Sequence, residues 1–226
     1  MTLDPLRIND FRHRLQWQDV ENSHNLVNLL TGCCIAEDLG ECCSDEPWKL
    51  DITTSLCNLT GIGEAAITSR EDIIICGTKL ANLLLKSFGC NEVEYNSLIE
   101  DGSTCGKGEM VGLLKGSISQ ILAIERTLLN FMQRLSGIAT KTSQFSRVLK
   151  PHKVGLLDTR KTTPGNRIFE KYATACGGSF NHRMGLFDRV LIKDNHLAAA
   201  GISSNRSFVT FLTKAKEQSK GKLVEV

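Results

Sequence analysis

The stretch KVGLLDTRKTTPGNRIFEKYATACGGSFNHRMGLFDRVLIKDNHL, residues 153–197, decides the fold of this chain. It contains three apolar segments of strand-like composition, which are GLLDT (155–159), GSFN (178–181) and RVLI (189–192). A strand, a connecting helix and a second strand in that order are typical of a parallel crossover. The stretch therefore predicts a parallel α/β unit.

The helix predicted between the first two segments has recognisable ends. Thr163 can act as its N-cap, and Pro164 suits the first helical position, where the missing N–H is not needed. Gly177 and Gly178 suit its C-terminal end, since glycine readily adopts the conformation that stops a helix. The predicted helix thus runs from about Pro164 to Gly177.

Each of the three strand candidates ends in basic residues. Arg160 and Lys161 follow the first, His182 and Arg183 follow the second, and Lys193 follows the third. Because the C-terminal ends of parallel strands share one edge, these cations predict a pocket for a small ligand with several negative charges. The alternative for each residue alone is a solvated basic surface, since surface charge pairs contribute little. Their recurrence at three strand ends favours a site.

Composition limits the function classes. The chain has 226 residues and a net charge of only +2, which argues against broad nucleic-acid binding. No apolar run approaches the ~20 residues of a membrane span. The nine cysteines are odd in number and lack CxxC spacing, so free thiols in a reducing cytoplasm are expected, and a structural zinc site is not.

Residues 1–117 are predicted to form an N-terminal α+β, sandwich-like domain. Helical periodicity covers most of residues 1–39 and stops at Gly40, and residues 41–48 are loop-like. Further predicted elements are strands at 50–59, 64–70 and 72–77, a helix at 78–89 and a β-hairpin at 92–117. Turns are assigned to Gly102, Gly106, Gly108 and Gly112, because no phosphate-loop frame contains them.

Residues 118–226 are predicted to form an incomplete TIM-like α/β barrel. Residues 118–149 have helical spacing and form one long helix, or two with a break at Ser136-Gly137. A turn at 198–201, a helix at 204–219 and a strand at 221–226 follow the central stretch. A complete barrel needs about 200 residues or more, so we expect the closing strands to be missing from this chain.

Two further positions leave alternatives open from the residues alone. Arg126 is best interpreted as an exposed arginine that pairs with Glu125 or is solvated. The Asp194-Asn195-His196 sequence after Lys193 can be a turn or helix cap, or it can shape a site. His182 suits general acid–base chemistry, but the adjacent arginine favours an anion contact. No Ser/His/Asp or Cys/His signature is recognisable.

Four segments together resemble the quinolinate phosphoribosyltransferase family. They are residues 125–142, 156–173 and 177–197 and, more loosely, DITTS at 51–55. The resemblance implies an N-terminal α/β domain, a barrel-like domain and a homodimer with active sites at the interface. It also implies a reaction of NAD biosynthesis, in which quinolinate and phosphoribosyl pyrophosphate give nicotinate mononucleotide, pyrophosphate and carbon dioxide, with Mg²⁺ as the cofactor.

The resemblance also implies roles for individual residues. Those implied to contact substrate are Thr159, Arg160, Lys161, His182, Arg183 and Lys193. Lys161 and Lys193 are implied to be catalytic, and Arg126 is implied to reach across the dimer into the neighbouring pocket. No protein ligand to a metal is implied.

The chain departs from the family pattern at two places. The ten residues between EDLG (37–40) and DITT (51–54) predict a longer surface loop. The family continues beyond Glu225 with a second glutamate of its site, so we expect a truncated chain. One alternative is therefore a non-catalytic, dimerising remnant, and another is a relative that uses nicotinate as acceptor.

Overall fold

The computed structural model describes residues 13–40 and 44–226. The helices are α1 (Trp17–Glu21), α2 (His24–Leu39), α3 (Ile52–Leu56), α4 (Leu80–Ser87), α5 (Ile118–Leu149), α6 (Arg167–Cys176), α7 (Asp194–Ala199) and α8 (Asn205–Gln218). The strands are β1 (Ile62–Thr68), β2 (Ile73–Ile74), β3 (Val93–Ser97), β4 (Thr104–Cys105), β5 (Met110–Ser117), β6 (Val190–Leu191) and β7 (Val224–Glu225). Predictions for residues 1–12 and 41–43 lie outside the described residues.

The N-terminal part is built on a three-stranded antiparallel sheet with the order β1-β5-β3. Strand β5 is central, with Ile62 opposite Ser117 on one side and Val93 opposite Gly116 on the other. Strands β2 and β4 form a separate antiparallel pair. The core contains Leu80 and Leu84 from α4 and Phe88, which follows this helix directly. The predicted mixture of helices and antiparallel strands is confirmed.

Three local predictions in this part were wrong or incomplete. Within the predicted strand 50–59, residues 52–56 form helix α3, because Asp51 Oδ1 accepts hydrogen bonds from the Thr53 N–H at 3.0 Å and the Thr54 N–H at 3.3 Å. Residues 47–50 form a 3₁₀ turn. Gly112 lies inside β5, where a Cβ would come within 2.4 Å of Tyr95 Oη, so it permits close packing and makes no turn.

Helix α5 is one continuous helix of 32 residues that packs against both parts of the chain. The alternative of a break at Ser136-Gly137 is wrong. Ser136 Oγ accepts a hydrogen bond from the Cys76 N–H at 3.0 Å and donates one to Cys76 O at 3.2 Å. The serine therefore joins α5 to the segment after β2 without interrupting the helix.

The C-terminal part contains the predicted parallel pairings in shorter form. Leu157 and Phe180 form a single parallel bridge, so the first two strand candidates pair with each other through one residue of each. Val190 pairs with Val224 and Leu191 with Glu225, which makes β6 and β7 a parallel pair. With the N-terminal sheet, this gives the mixed α/β architecture that the sequence predicts, with a barrel-like second part.

Helix α6 begins later than predicted. Its N-cap is Asn166, and Thr163 and Pro164 lie in the preceding turn. Its C-terminal end is Gly177, as predicted. A Cβ on Gly177 would lie 2.4 Å from Ala139 O, so the absence of a side chain lets α6 approach α5 closely.

The last segments differ from prediction mainly in their boundaries. Residues 194–196 form the first turn of helix α7. The same helix continues to Ala199 and so includes residues 198–199 of the turn predicted at 198–201. Helix α8 is capped by Ser204, whose Oγ accepts a hydrogen bond from the Ser207 N–H at 3.2 Å. Over residues 13–40 and 44–226, no helix combines the length and the apolar character needed to span a bilayer.

Candidate active site

Asp158 is the centre of a buried polar network directly after the Leu157 bridge. Its side chain is 5% exposed, and Oδ1 contacts Lys171 Nζ and accepts a hydrogen bond from the His182 N–H at 2.7 Å. Its Oδ2 accepts hydrogen bonds from Asn181 Nδ2 at 2.6 Å and Thr174 Oγ1 at 3.1 Å. A buried carboxylate is stable when its lone pairs are used in this way. Asp158 therefore holds the ends of two strand candidates together.

Lys171 carries the opposite charge of this network. It projects from α6, its side chain is 1% exposed, and Nζ also donates a hydrogen bond to the backbone oxygen of His182 at 2.9 Å. Burial lowers the pKa of Lys171, and the Asp158 carboxylate opposes that effect. Lys171 and Asp158 thus hold the backbone of His182 from both sides.

Asn181 joins the same network to the segment that precedes α1. Its N–H donates to His13 O at 2.8 Å, and its Oδ1 accepts from the Leu15 N–H at 2.6 Å. Arg14 adds hydrogen bonds to Gly178 O at 2.9 Å and Ser179 O at 3.1 Å. Residues 13–15 therefore fasten the second strand end from outside.

His182 and Glu225 link the end of the second strand candidate to β7. Their Nε2 and Oε2 atoms lie 2.6 Å apart, and the histidine tautomer decides which atom donates. The His182 side chain is mostly buried, whereas that of Glu225 is partly exposed. Glu225 therefore places a carboxylate beside the predicted cations.

Arg160 and Arg183 are brought close to each other. Arg183 is 5% exposed, and Nη1 donates to Arg189 O at 3.2 Å. Burial lowers the pKa of Arg183, and the nearby Arg160 guanidinium lowers it further, although a guanidinium stays charged in proteins. The Nε atoms of Arg160 and Arg183 are buried, and neither has a hydrogen-bond partner among residues 13–40 and 44–226. Two adjacent guanidinium groups with unused donors suit an anionic ligand.

The remaining cations predicted for the site are exposed. Thr159 Oγ1 accepts a hydrogen bond from the Lys161 N–H at 3.0 Å, and the Lys193 N–H donates to His196 Nδ1 at 2.9 Å as α7 begins. Within the described part of the chain, neither lysine ammonium forms a hydrogen bond or an ion pair. The substrate roles of Thr159, Lys161 and Lys193 stay predictions.

Arg126 lies elsewhere on the same chain. It is exposed on α5 and lines a groove of about 910 Å³ between α5 and the β1 region. It forms no ion pair with Glu125 or with any other residue that the structure describes. The role of Arg126 across a dimer stays a prediction.

The described residues do not form a magnesium cage of their own. No group of three or more His, Cys, Asp or Glu residues within 13–40 and 44–226 is arranged to hold a metal ion. The carboxylates around this region are engaged: Asp158 by Lys171, Glu225 by His182, and Asp188, whose Oδ2 accepts a hydrogen bond from the Met184 N–H at 2.8 Å. A magnesium ion would therefore depend on oxygen atoms supplied by a bound ligand.

Asp158, Lys171 and Glu225 were not predicted as part of the site. In the sequence, Glu225 only matches the family pattern, and Asp158 stands immediately before the predicted Thr159. The available signal for Lys171 was its position next to buried residues of α6, such as Ile168 and Tyr172. A lysine on the buried face of a helix indicates a buried partner, because an unpaired ammonium is costly there.

Sequence profiles match both parts of the chain. The profile for the quinolinate phosphoribosyl transferase N-terminal domain matches residues 51–136, and that for the C-terminal domain matches residues 138–226. The two profiles meet inside α5, the helix that contacts both parts.

Curated relatives carry related names. The chain is 43% identical over 140 residues to the probable nicotinate-nucleotide pyrophosphorylase [carboxylating] of Bacillus subtilis, covering 61% of this chain and 47% of that protein. It is 39% identical over 173 residues to the chloroplastic nicotinate-nucleotide pyrophosphorylase [carboxylating] of Arabidopsis thaliana, covering 74% and 45%. The chain thus spans about half the length of the curated relatives that it matches.

Solved structures share the fold. The nicotinate-nucleotide pyrophosphorylase of Francisella tularensis superimposes with a TM-score of 0.78 at 35% identity, covering 95% of this chain and 69% of that one. The enzyme of the same name from Ehrlichia chaffeensis gives a TM-score of 0.73 at 31% identity, covering 93% and 68%.

Proposed function

The chain belongs to the quinolinate phosphoribosyltransferase family, and on this premise we propose that it transfers a phosphoribosyl group to quinolinate. The other substrate is phosphoribosyl pyrophosphate, and the products are nicotinate mononucleotide, pyrophosphate and carbon dioxide. The observation that carries the proposal is the pair of buried, partnerless Nε donors on Arg160 and Arg183. Guanidinium groups bind carboxylates through paired hydrogen bonds, and quinolinate has two adjacent carboxylates.

The proposed chemistry places most of the work on charge and position. As the bond between ribose C1 and pyrophosphate breaks, the ribose gains oxocarbenium character and the pyrophosphate gains negative charge. Lys161 follows Arg160 in the chain and Lys193 comes shortly after β6; both side chains are exposed, and both would stabilise that charge. The quinolinate nitrogen then bonds to C1. The cationic ring accepts the electron pair released when carbon dioxide leaves, and the ring carbon takes up a proton from water.

Magnesium is part of the proposal as an ion that arrives with the pyrophosphate group. When bound, it neutralises phosphate oxygens and so helps the pyrophosphate to leave. Its ligands would be mainly those oxygens and water, because the nearby Asp158 and Glu225 are engaged by Lys171 and His182. The arginines and lysines of the site would position the anionic groups of both substrates.

We also propose a homodimer in which Arg126 completes the partner's site. Its exposure on α5, in a groove that neither Arg160 nor Arg183 lines, supports this arrangement. Cytoplasmic location is a further part of the proposal. Free thiols on described cysteines, including exposed Cys33 and Cys57, are typical of a reducing compartment.

The test is nicotinate mononucleotide formation by the 226-residue chain from quinolinate, phosphoribosyl pyrophosphate and Mg²⁺. A parallel reaction contains nicotinate instead of quinolinate. We expect turnover with quinolinate alone. Absence of turnover by the folded chain, or equal turnover with nicotinate, would contradict the proposal.

Two variants connect the assay to the site. Arg183→Ala and Lys161→Ala should each lower kcat/KM by about 100-fold or more, because each removes a charged donor from the place where anionic charge is bound. Lys86→Ala is the control, since Lys86 is an exposed cation on α4 in the N-terminal part. Folded variants with unchanged kcat/KM would remove Arg183 and Lys161 from the proposed machinery.

A further inference from the structure

The ion pair between Asp158 and Lys171 lies beneath the cationic cluster and is not used by the proposed reaction. The two side chains are 5% and 1% exposed, so neither can reach a substrate. A pair buried to this extent is not explained by stability alone. The cost of removing two charges from water often exceeds their attraction, and apolar replacements can be equally stable. Its connections suggest another role.

Those connections join the two segments that carry the arginines. Asp158 lies two positions before Arg160, and His182 immediately precedes Arg183. Asp158 Oδ1 accepts from the His182 N–H at 2.7 Å, while Lys171 Nζ donates to the His182 backbone oxygen at 2.9 Å. The Asp158–Lys171 ion pair connects these two hydrogen bonds, so Asp158, Lys171 and the backbone of His182 all contact one another. The backbone leading to Arg183 is therefore fixed relative to the backbone leading to Arg160.

Such fixation opposes a force that acts within the cluster. Arg160 and Arg183 are like charges, close enough to affect one another, and without a ligand they repel. One parallel bridge, Leu157 to Phe180, is the only strand pairing between the two segments in the described residues. A single bridge is a weak constraint, so the buried pair supplies the additional one.

We propose that Lys171 and Asp158 are positioning residues that set the spacing between Arg160 and Arg183, and that this spacing selects ligands with two adjacent carboxylates. The inference rests on the proposed function and deepens it. Two guanidinium groups at a fixed separation bind a dicarboxylate at two points. A monocarboxylate uses one point and gains little from the fixed separation.

The test measures selectivity, because a merely structural pair would not change it. Dissociation constants for quinolinate and for nicotinate are measured by calorimetry on the wild-type chain and on Lys171→Met. We expect Lys171→Met to weaken quinolinate binding about tenfold or more while nicotinate binding changes much less, as loss of one well-placed charged contact would predict. The selectivity ratio should fall accordingly.

The control is Tyr172→Phe, which changes the adjacent residue of α6. Tyr172 Oη donates to Asp101 Oδ2 at 3.0 Å, so this variant loses a hydrogen bond to a carboxylate without touching His182. It should lose stability and keep the wild-type selectivity ratio. Equal losses of selectivity in Tyr172→Phe and Lys171→Met would overturn the proposal, because they would indicate a general effect of instability.

The double variant Asp158→Asn/Lys171→Met covers the case in which Lys171→Met does not fold. It removes both charges together, so no uncompensated buried ion is left. We expect it to fold and still to show the lower selectivity ratio, and wild-type selectivity in the folded double variant would overturn the proposal. If the wild-type chain itself does not prefer quinolinate, the proposed function fails and this inference fails with it.

Discussion

Glu170 shows how one side chain organises the turn before α6. Its oxygens accept hydrogen bonds from Thr163 Oγ1 at 2.7 Å, the Thr163 N–H at 3.1 Å and Arg134 Nη2 at 2.9 Å. Burial alone would raise the pKa of Glu170, but these donors outweigh it and the pKa lies below its usual value of 4.5. Thr163, which was predicted as the N-cap of α6, is thus held by hydrogen bonds to Glu170, a residue within α6.

The lowered pKa of Glu170 predicts a pH-dependent contribution to stability. Because the folded state favours the charged carboxylate, the contribution is complete above the unfolded pKa and is lost as the pH falls through the folded pKa. Glu170→Gln should lower the free energy of unfolding by roughly 1–2 kcal/mol at pH 7. Denaturant unfolding at several pH values should show this difference shrinking below the usual glutamate pKa of 4.5.

The exposed Glu217 on α8 provides the control for this comparison. Glu217→Gln should change the free energy of unfolding little at either pH, since surface charges contribute little. A difference between wild type and Glu170→Gln that does not change with pH would mean that packing, and not ionisation, explains it.

At the residue scale, the sequence predicts cations at strand ends better than it predicts their buried neighbours. Arg160 and Arg183 could be placed together because each follows an apolar segment, and strand ends share an edge. Lys171 lies 11 positions before His182 and 13 after Asp158, and only the packing of α6 brings the three together. Local patterns contain no information about such a contact.

Helix α5 contains a glycine, Gly137, at a position where the backbone conformation suits any L-residue. Gly137 is exposed within the helix, and no atom lies within 4 Å of the position that a Cβ would occupy. Alanine loses less conformational entropy than glycine on forming a helix. Gly137→Ala should therefore raise the free energy of unfolding by about 0.5–1 kcal/mol, as measured by denaturant unfolding.

Gly177 provides the opposite case and serves as the comparison. A Cβ there would meet Ala139 O at 2.4 Å and Thr142 Cβ at 2.5 Å, so α6 would have to move away from α5. Gly177→Ala should lower the free energy of unfolding, although alanine is the better helix former. A stabilised Gly177→Ala variant would contradict the close packing of these helices.

At the element scale, prediction succeeded where a period extends over many residues. The 32-residue helix α5 and the helix α8 follow from their apolar spacing. Segment 50–59 contains the β-branched residues Ile52, Thr53 and Thr54, which favour a strand, but the Asp51 cap starts helix α3 there instead. Pairs as short as β6 with β7 lack the length on which an alternating pattern depends.

For the whole molecule, the position of Arg126 gives a prediction about assembly. If Arg126 acts in the partner's site, each site uses Lys161 of one subunit and Arg126 of the other. Arg126→Ala in one subunit therefore damages the site of its partner, whereas Lys161→Ala damages the site of its own subunit. Each homodimer should be inactive. A mixed dimer should contain one intact site and one site with both defects.

Co-refolding equal amounts of the two inactive variants measures this directly. Random pairing gives about half mixed dimers with one intact site of two, so activity should recover to about a quarter of the wild-type value. If Arg126 acts within its own chain, every site carries one defect and mixing restores nothing. The matched mixture of Lys161→Ala with Arg183→Ala should also restore nothing, because the proposal assigns both residues to the site of their own subunit.

The overall architecture was accessible from sequence because the parallel unit at 153–197 constrains its surroundings. Apolar segments followed by cations predict parallel strand ends, and the helix between them fixes the crossover. The attachment of residues 13–15 to Gly178, Ser179 and Asn181 was not accessible. Hydrogen bonds to backbone groups at that separation leave no pattern in either segment.

That attachment has a consequence for the order in which the chain is made. Leu15 and Asn181 are separated by 166 positions, and ribosomes add roughly 5–20 residues per second. Roughly 10 to 30 seconds therefore pass between the synthesis of the two partners at that rate. Until Asn181 has left the ribosome, Leu15 and His13 cannot form these bonds, and the backbone before Arg183 lacks its outer support. Completion of the arginine cluster is therefore a late event during synthesis, however early the N-terminal sheet folds.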